Sequence, residues 1–193
     1  MERYIDIHTH LQTEALTIRC VGLHPWHSAT GKIPLREELS DADAVGEIGL
    51  DKACGVDFEL QKRCFEAQLK LAVEGQKPVV LHTVRAFEEV MTTLKQYPLR
   101  AVIFHGFIGS REQAERALRA GYYLSFGART AASPKSIEAL RATPLDRLFV
   151  ESDEDPTPIE KRYEEVAALR GVTIAQLRTS VAQNYERIFG RQE

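Results

Sequence analysis

The sequence predicts an α/β fold built around a parallel sheet, and three observations lead there. Short, strongly apolar runs recur along the chain, as in strands buried on both faces; capped helical segments alternate with them; and metal-competent side chains gather where the runs end. The runs are "YIDI", "TIRCVG", "AVGEIG", "PVVLH", "AVIFHG", "YYLSFG" and "RLFVESD". These make about seven strand candidates where a complete (β/α)8 barrel has eight. An open doubly wound sheet shows the same alternation, but no G-x-G-x-x-G turn follows any of the runs.

The helices between the runs carry explicit starts and stops. "TPIE" at Thr157 to Glu160 reads as an N-cap threonine, a proline at the first helical position and a capping-box glutamate, with Gly171 past the helix end. "TIAQ" at Thr173 to Gln176 repeats the box and opens a last helix that stops near Gly190. "SREQ" at Ser110 to Gln113 does the same for a helix ending before Gly121, and Ser133 with Pro134 opens another. From Phe58 to Glu74, apolar residues fall at helical spacing and the segment meets Gly75.

A length of 193 residues and a hydrophobic content of 44% suit a single domain over 1–193. With 25 Lys and Arg against 28 Asp and Glu, the net charge of −3 supplies no general basic field for nucleic acid, so a polyanionic substrate needs local Arg or Lys, or bound cations. Cys20, Cys54 and Cys64 lack the spacing of a zinc knuckle or a disulfide framework, which points to a reducing cytoplasm. No signal-peptide core opens the chain and no apolar run reaches the ~18 residues of a membrane span, so a cytoplasmic protein with no membrane partner is expected.

Reactive residues mark the ends of the runs. His8 and His10 close the first; two residues apart on a strand, they project from one face. Glu47 lies in "GEIGLD", His82 ends "PVVLH", His105 ends "AVIFH" and Asp153 ends "LFVESD". In a parallel barrel these ends share one rim, the face where active sites are built. Taken singly, each is more often a satisfied buried histidine or a structural carboxylate. As a set, four imidazoles and two carboxylates form a mixed N/O supply for divalent ions such as Mg, Mn or Zn. Six ligands exceed the needs of one open catalytic ion and suffice for two divalent metal ions sharing a carboxylate, an arrangement that activates water for hydrolysis.

These motifs resemble the TatD family of metal-dependent deoxyribonucleases and related hydrolases. "IDIHTH", "VGLHPW", "VGEIGLD", "FEAQLKLA", "PVVLH", "FHGFIGS", "YYLSFG", "LDRLFVESD" and "NYERIFG" follow the family's order through nearly the whole chain. The resemblance implies a TIM-barrel-like fold of the metal-dependent hydrolase superfamily with a two-metal site. His8, His10 and Asp153 match the ligands of one ion, His82 and His105 those of the other, and Glu47 the carboxylate that leans toward both. Asp153 also matches the group held to orient or deprotonate the attacking water, so Asp153 and Glu47 are the expected catalytic carboxylates. The implied substrate is DNA or another phosphodiester, cleaved near a free end or as a short oligonucleotide.

Three departures from the family pattern carry consequences. Only Leu11 to Val21 separate the His-x-His from "GLHP", too few for a helix, a strand and a helix, so one βα unit is missing and about seven strands are expected. The resulting open edge favours cover by a partner chain and hence a homo-oligomer. Arg85 in "LHTVRA" stands one place beyond the usual arginine and is a candidate phosphate clamp, and "ESDEDP" lacks the tyrosine of the family's last motif. His24 in "GLHPWH" is a candidate substrate-binding residue, balanced against a local turn role. Trp26 reads as a loop anchor rather than a base-stacking surface, Asp51 as a carboxylate that orients a ligand imidazole or caps a turn, and Arg111, Arg116 and Arg119 as a solvated face.

Two functions compete with this reading, one a second enzyme on the same scaffold and one from a different class. A lactonase or deaminase of the amidohydrolase type often uses a bridging modified lysine, and only Glu47 stands at the matching strand end. A catalytically weak binding protein is motivated by the missing βα unit and opposed by the intact ligand set.

Overall fold

The computed structural model describes residues 3–190, which form two compact units, one made by Arg19–Phe104 and the other by residues 3–18 with 105–190. In the first, β1 (Cys20–Val21), β2 (Ala44–Asp51), β3 (Val79–Val84) and β4 (Val102–Phe104) pair in that order, all parallel. Helix α1 (Phe58–Glu74) links β2 to β3, and α2 (Phe87–Leu94) links β3 to β4. The strands are apolar on both faces because both are buried: Val45, Ile48, Leu50, Val79, Val80, Leu81 and Ile103 are fully enclosed.

Two local features of β2 aim the polar side chains near its end. Val45 pairs with Val79 and Ile48 with Leu81, so β2 carries one extra residue between them, a bulge that contains Glu47 and re-aims it. Gly49 has φ 145°, and a Cβ there would lie 2.0 Å from the His82 carbonyl oxygen, so only glycine lets β2 lie this close to the strand that carries His82.

Helix α1 starts where Asp57 accepts the Leu60 N–H and stops at Gly75, as its spacing predicts. Its buried face includes two glutamines two turns apart. Gln61 accepts the Asp51 N–H at 2.8 Å and donates to the Asp51 carbonyl at 3.0 Å. Gln68 accepts the Leu23 N–H at 2.6 Å and donates to the Leu23 carbonyl at 3.1 Å. One helix thus clamps the main chain at the end of β2 and at the residue before His24.

The other unit contains α3 (Arg111–Arg119), β5 (Tyr123–Phe126), α4 (Pro134–Ala142), β6 (Leu148–Val150), α5 (Ile159–Arg170) and α6 (Ile174–Phe189). Strands β5 and β6 pair in parallel. The capping boxes at Ser110 and Thr173 form as expected. The one at Thr157 does not: Pro158 is extended at ψ 139°, the Thr157 N–H goes to Asp155 Oδ1, and α5 begins at Ile159 without a side-chain cap. Asn184 of α6 is buried and donates to the Leu145 and Leu148 carbonyls, tying the last helix to the start of β6.

Six of the seven apolar runs form strands. The first, "YIDI", is held instead by isolated parallel bridges, Ile5 to Leu16 and Thr9 to Asp153, with the Ile7 N–H on the Val150 carbonyl. Its ladder is interrupted because the Asp6 carboxylate takes both the Ser152 N–H, at 3.0 Å, and the Ser152 hydroxyl, at 2.6 Å. No helix lies between His10 and Cys20; Leu16 instead donates to the Tyr4 carbonyl and accepts the Asp6 N–H. Among the described residues no helix is long and apolar enough to cross a membrane.

Replacing Gln68 by Ala leaves two buried main-chain groups at Leu23 without partners, at about 1–3 kcal/mol each, so a urea unfolding curve should show a loss of at least ~2 kcal/mol with the parallel pairing retained. A second expectation concerns Asp6. Burial is the largest cause raising its carboxyl from the ordinary 3.8 to about 6, against the two Ser152 hydrogen bonds. Because the folded value lies above the unfolded one, the stabilising contribution is full below pH ~4 and disappears as pH rises through about 6. In metal-free protein the unfolding midpoint of the wild type should therefore fall relative to Asp6→Asn between pH 4 and 7.

Candidate metal centre

In the unit formed by residues 3–18 and 105–190, two segments cross at Asp153. The Asp153 N–H donates to the His8 carbonyl and the His10 N–H donates to the Asp153 carbonyl, both at 3.0 Å. Asp153 sits at φ 56°, a left-handed conformation that a non-glycine residue holds only where the surroundings impose it. With the main chain fixed this way, His8 Nε2 and His10 Nε2 lie 3.8 and 3.7 Å from Asp153 Oδ1. The His8 ring is also 4.5 Å, centroid to centroid, from that of His105.

Behind this group lies Glu151, wholly buried. Its Oε1 accepts the Gly106 N–H at 2.6 Å and is 3.5 Å from His105 Nδ1. Burial pushes the Glu151 carboxyl up, but the hydrogen bond and charge of His105, with His8 and the Ser125 hydroxyl, outweigh it and hold the group below its ordinary value. The ligand atoms of His8, His10 and Asp153 lie within 4.8 Å of one another, as do those of His105, Glu151 and Asp153. A cleft of about 320 Å³ opens beside them, lined by Arg129, Thr130, Glu151, Asp153 and Asp155.

The unit of Arg19–Phe104 holds a second cluster, His24, Glu47 and His82, again with ligand atoms within 4.8 Å. His82 Nε2 is 3.2 Å from Asp51 Oδ2 and its Nδ1 is 3.7 Å from Glu47 Oε2. An ionised carboxylate only accepts, so Asp51 fixes the proton on Nε2 and leaves Nδ1 as the electron-pair donor facing Glu47. His24 has the opposite arrangement. Its Nδ1 accepts the Trp26 main-chain N–H at 3.2 Å, so Nε2, 3.9 Å from Glu47 Oε2, carries the hydrogen. Burial raises the Asp51 carboxyl, but hydrogen bonds from the Trp26 indole, the Ala53 N–H and His82 exceed that and hold it below the usual carboxylate range. The Cys20 thiol is pushed up to about 12 by burial and by Glu47 and Asp43, so it stays protonated and unreactive.

The structure therefore gathers His8, His10, His105 and Asp153 in one unit, and His24, Glu47 and His82 in the other. Arg85 is exposed, three residues beyond His82, with φ 52°. Sequence reasoning misses Glu151, although it lies two residues before Asp153 in the run "RLFVESD", where strand alternation would put the two on one face. Asp51 takes both of its expected roles: its Oδ2 faces the His82 imidazole at 3.2 Å and its Oδ1 accepts the Ala53 N–H of the following turn at 2.7 Å. Trp26 departs from the expectation of a loop anchor alone: its indole N–H is bonded to Asp51 at 2.6 Å, yet the residue is 54% exposed.

The donors fit divalent cations. Each cluster combines imidazole nitrogen with carboxylate oxygen and no thiolate, the set that suits Zn, Mn or Mg-like ions. The second nitrogen of His82 is held by a carboxylate, the support commonly given to a ligating histidine.

Comparison with known proteins supplies the family and the fold. The model of the TatD related DNase family matches residues 6–190. YabD of Bacillus subtilis, named an uncharacterized metal-dependent hydrolase, is 32% identical over 166 residues, covering 76% of this chain and 64% of YabD. A protein of Erwinia amylovora named 3'-5' ssDNA/RNA exonuclease TatD is 32% identical over 202 residues, covering 88% of this chain and 76% of its own. The crystal structure of YjjV, a TatD homologue from Escherichia coli, superposes with a TM-score of 0.79 at 27% identity, over 91% of this chain and 78% of YjjV. That likeness shows an α/β, TIM-barrel-like fold, and six strands agree with a shortened barrel. This chain spans under two thirds of the length of the first such relatives, 64% of YabD and 58% of the YjjV sequence. By a match that runs from Asp6 to Gly190, the chain belongs to the TatD related DNase family.

Proposed function

We propose that this protein is a divalent-metal-dependent phosphodiesterase that hydrolyses single-stranded DNA or short oligonucleotides from an end. The observation that carries the reading is the convergence of His8 and His10 on one oxygen of Asp153, within a family whose relatives include proteins named metal-dependent hydrolase and ssDNA/RNA exonuclease.

In one unit His8, His10, His105 and Asp153 are the proposed metal ligands; in the other, Glu47 and His82. Bound divalent ions would supply Lewis-acid polarisation of a phosphoryl oxygen and neutralise developing negative charge. The chain's own groups do the rest. Asp153 is the proposed acceptor of the attacking water's proton, as an ionised carboxylate that can only accept. Glu151 holds His105 in place and carries buried negative charge behind the ligands. His24 offers its Nε2–H to an anionic oxygen of the substrate, and Arg85, exposed beyond His82, and Arg129, in the cleft beside Glu151, are the proposed cations for backbone phosphates. One P–O bond breaks and one forms, leaving a phosphomonoester and a free hydroxyl.

The test measures metal content by elemental analysis beside Mg²⁺- and Mn²⁺-dependent cleavage of an end-labelled single-stranded oligonucleotide. Cleavage should require added metal and vanish in EDTA. Asp153→Asn should lower kcat by at least ~10²-fold, the usual contribution of a positioned general base, with the fold retained by circular dichroism. His8→Ala should reduce both bound metal and turnover. Tight metal with no cleavage of any phosphodiester would overturn the nuclease reading and move the search to lactones and other esters. Neither metal nor turnover would favour the binding protein.

A further inference from the structure

Trp26 is tied into the cluster of Arg19–Phe104 through both of its N–H groups. The main-chain N–H goes to His24 Nδ1 and the indole N–H to Asp51 Oδ2, the same oxygen that receives His82. Its ring is edge-on to both imidazoles, with centroids 4.8 Å from His24 and 5.9 Å from His82. A tryptophan buried by its polar atom has that atom inside and its ring packed; here the indole nitrogen is satisfied by a buried carboxylate while 54% of the residue remains in contact with solvent. The ring follows Pro25 in a short turn of helix, Pro25–Thr30, that is itself bound to α1 through the Cys64 thiol on the Ser28 carbonyl. Its orientation is fixed while about half of the residue stays exposed.

A large exposed aromatic surface, immobilised before any ligand arrives and edge-on to two imidazoles, suits a flat π-system lying against it. Resting on the phosphodiesterase reading, we propose that Trp26 is a binding subsite for one nucleobase of the substrate, stacked on the exposed indole face. The subsite selects for the presence of a base and not for its identity, since every base has a π-face and both N–H donors of Trp26 are already engaged within the protein. The main-chain N–H of the same residue keeps His24 as an N–H donor, and its indole shares the Asp51 oxygen that orients His82, so the group that meets the base is joined to the polar machinery beside it.

The chain has one tryptophan, so its intrinsic fluorescence reports this subsite alone. Full-length protein in EDTA is titrated with a fluorescein-labelled single-stranded oligodeoxynucleotide and with an abasic oligomer of equal length and charge, and binding is followed by anisotropy. Unlabelled oligomers serve for the tryptophan signal. The base-bearing oligomer should quench Trp26 with the affinity seen by anisotropy. The abasic one should bind about 5- to 150-fold more weakly, the range of one lost base–aromatic stack, and leave the fluorescence unchanged. Trp26→Ala should bind both oligomers alike, and Trp26→Phe, which restores a ring without the N–H, should recover part of the difference. In turnover with Mn²⁺ the Ala variant should raise KM by the same factor. Equal wild-type affinity for the two oligomers, or binding without quenching, overturns the subsite; this comparison needs no variant to fold. Cleavage of both oligomers with equal KM sinks the subsite and leaves the phosphodiesterase standing, whereas neither binding nor cleavage of any single strand sinks both.

Discussion

The contact on which the larger unit depends is the parallel crossing of residues 5–10 with the end of β6. Ile7 donates to Val150, Asp153 donates to His8, and His10 donates to Asp153. Three main-chain bonds join segments some 145 positions apart in the chain, and their spacing alone aims two imidazoles at one carboxylate oxygen. The side chains reinforce the crossing from below: Ser152 gives its N–H and hydroxyl to Asp6, and the Ser152 hydroxyl also meets Thr9 at 2.8 Å. Tyr163 of α5 adds a hydrogen bond to the Ile5 carbonyl. The left-handed backbone at Asp153 is the local cost of this geometry, and the bonds on either side of it are what hold it there.

The smaller unit solves the same problem with a helix. Glu47 owes its direction to a bulge, His82 to a glycine that lets β2 approach β3, and Asp51 and His24 to the two glutamines of α1. None of these supports is charged. Amide side chains accept and donate at once, so each glutamine satisfies both the N–H and the C=O of the residue it grips, and the buried main chain is fixed without adding a charge near the candidate ligands. The electrostatic character of the cluster is left to Glu47, Asp51 and the two histidines.

The segment between His10 and Cys20 shows how the family fold tolerates shortening. Where a βα unit is absent, Leu16 pairs with the Tyr4–Asp6 edge, so the main-chain groups there still find partners. The side chains are less well served, since Leu11 and Leu16 remain exposed. The crossing at Asp153 lies beyond this patch and does not depend on it.

What the sequence determined by itself is what depends on neighbours a few residues away. Strand and helix order followed from period and turn residues; α1 follows its apolar spacing up to Gly75; the boxes at Ser110 and Thr173 close over three residues; and His82, His105 and Asp153 stand near or just past the ends of β3, β4 and β6, where a parallel sheet exposes side chains to loops. The tertiary structure decided what depends on partners far along the chain. That Trp26 is both anchored and exposed follows from Asp51, 25 residues on. That His24 and His82 carry their protons on the same named nitrogen yet present opposite chemistry to Glu47 follows from one bond to a main chain and one to a carboxylate. Glu151 and the glutamines of α1 look like ordinary polar residues in the sequence, and the helix start predicted at Thr157 failed because Asp155 captured its N–H. Local periodicity places a residue on a face; only the packed chain decides which atom of it meets which atom of another.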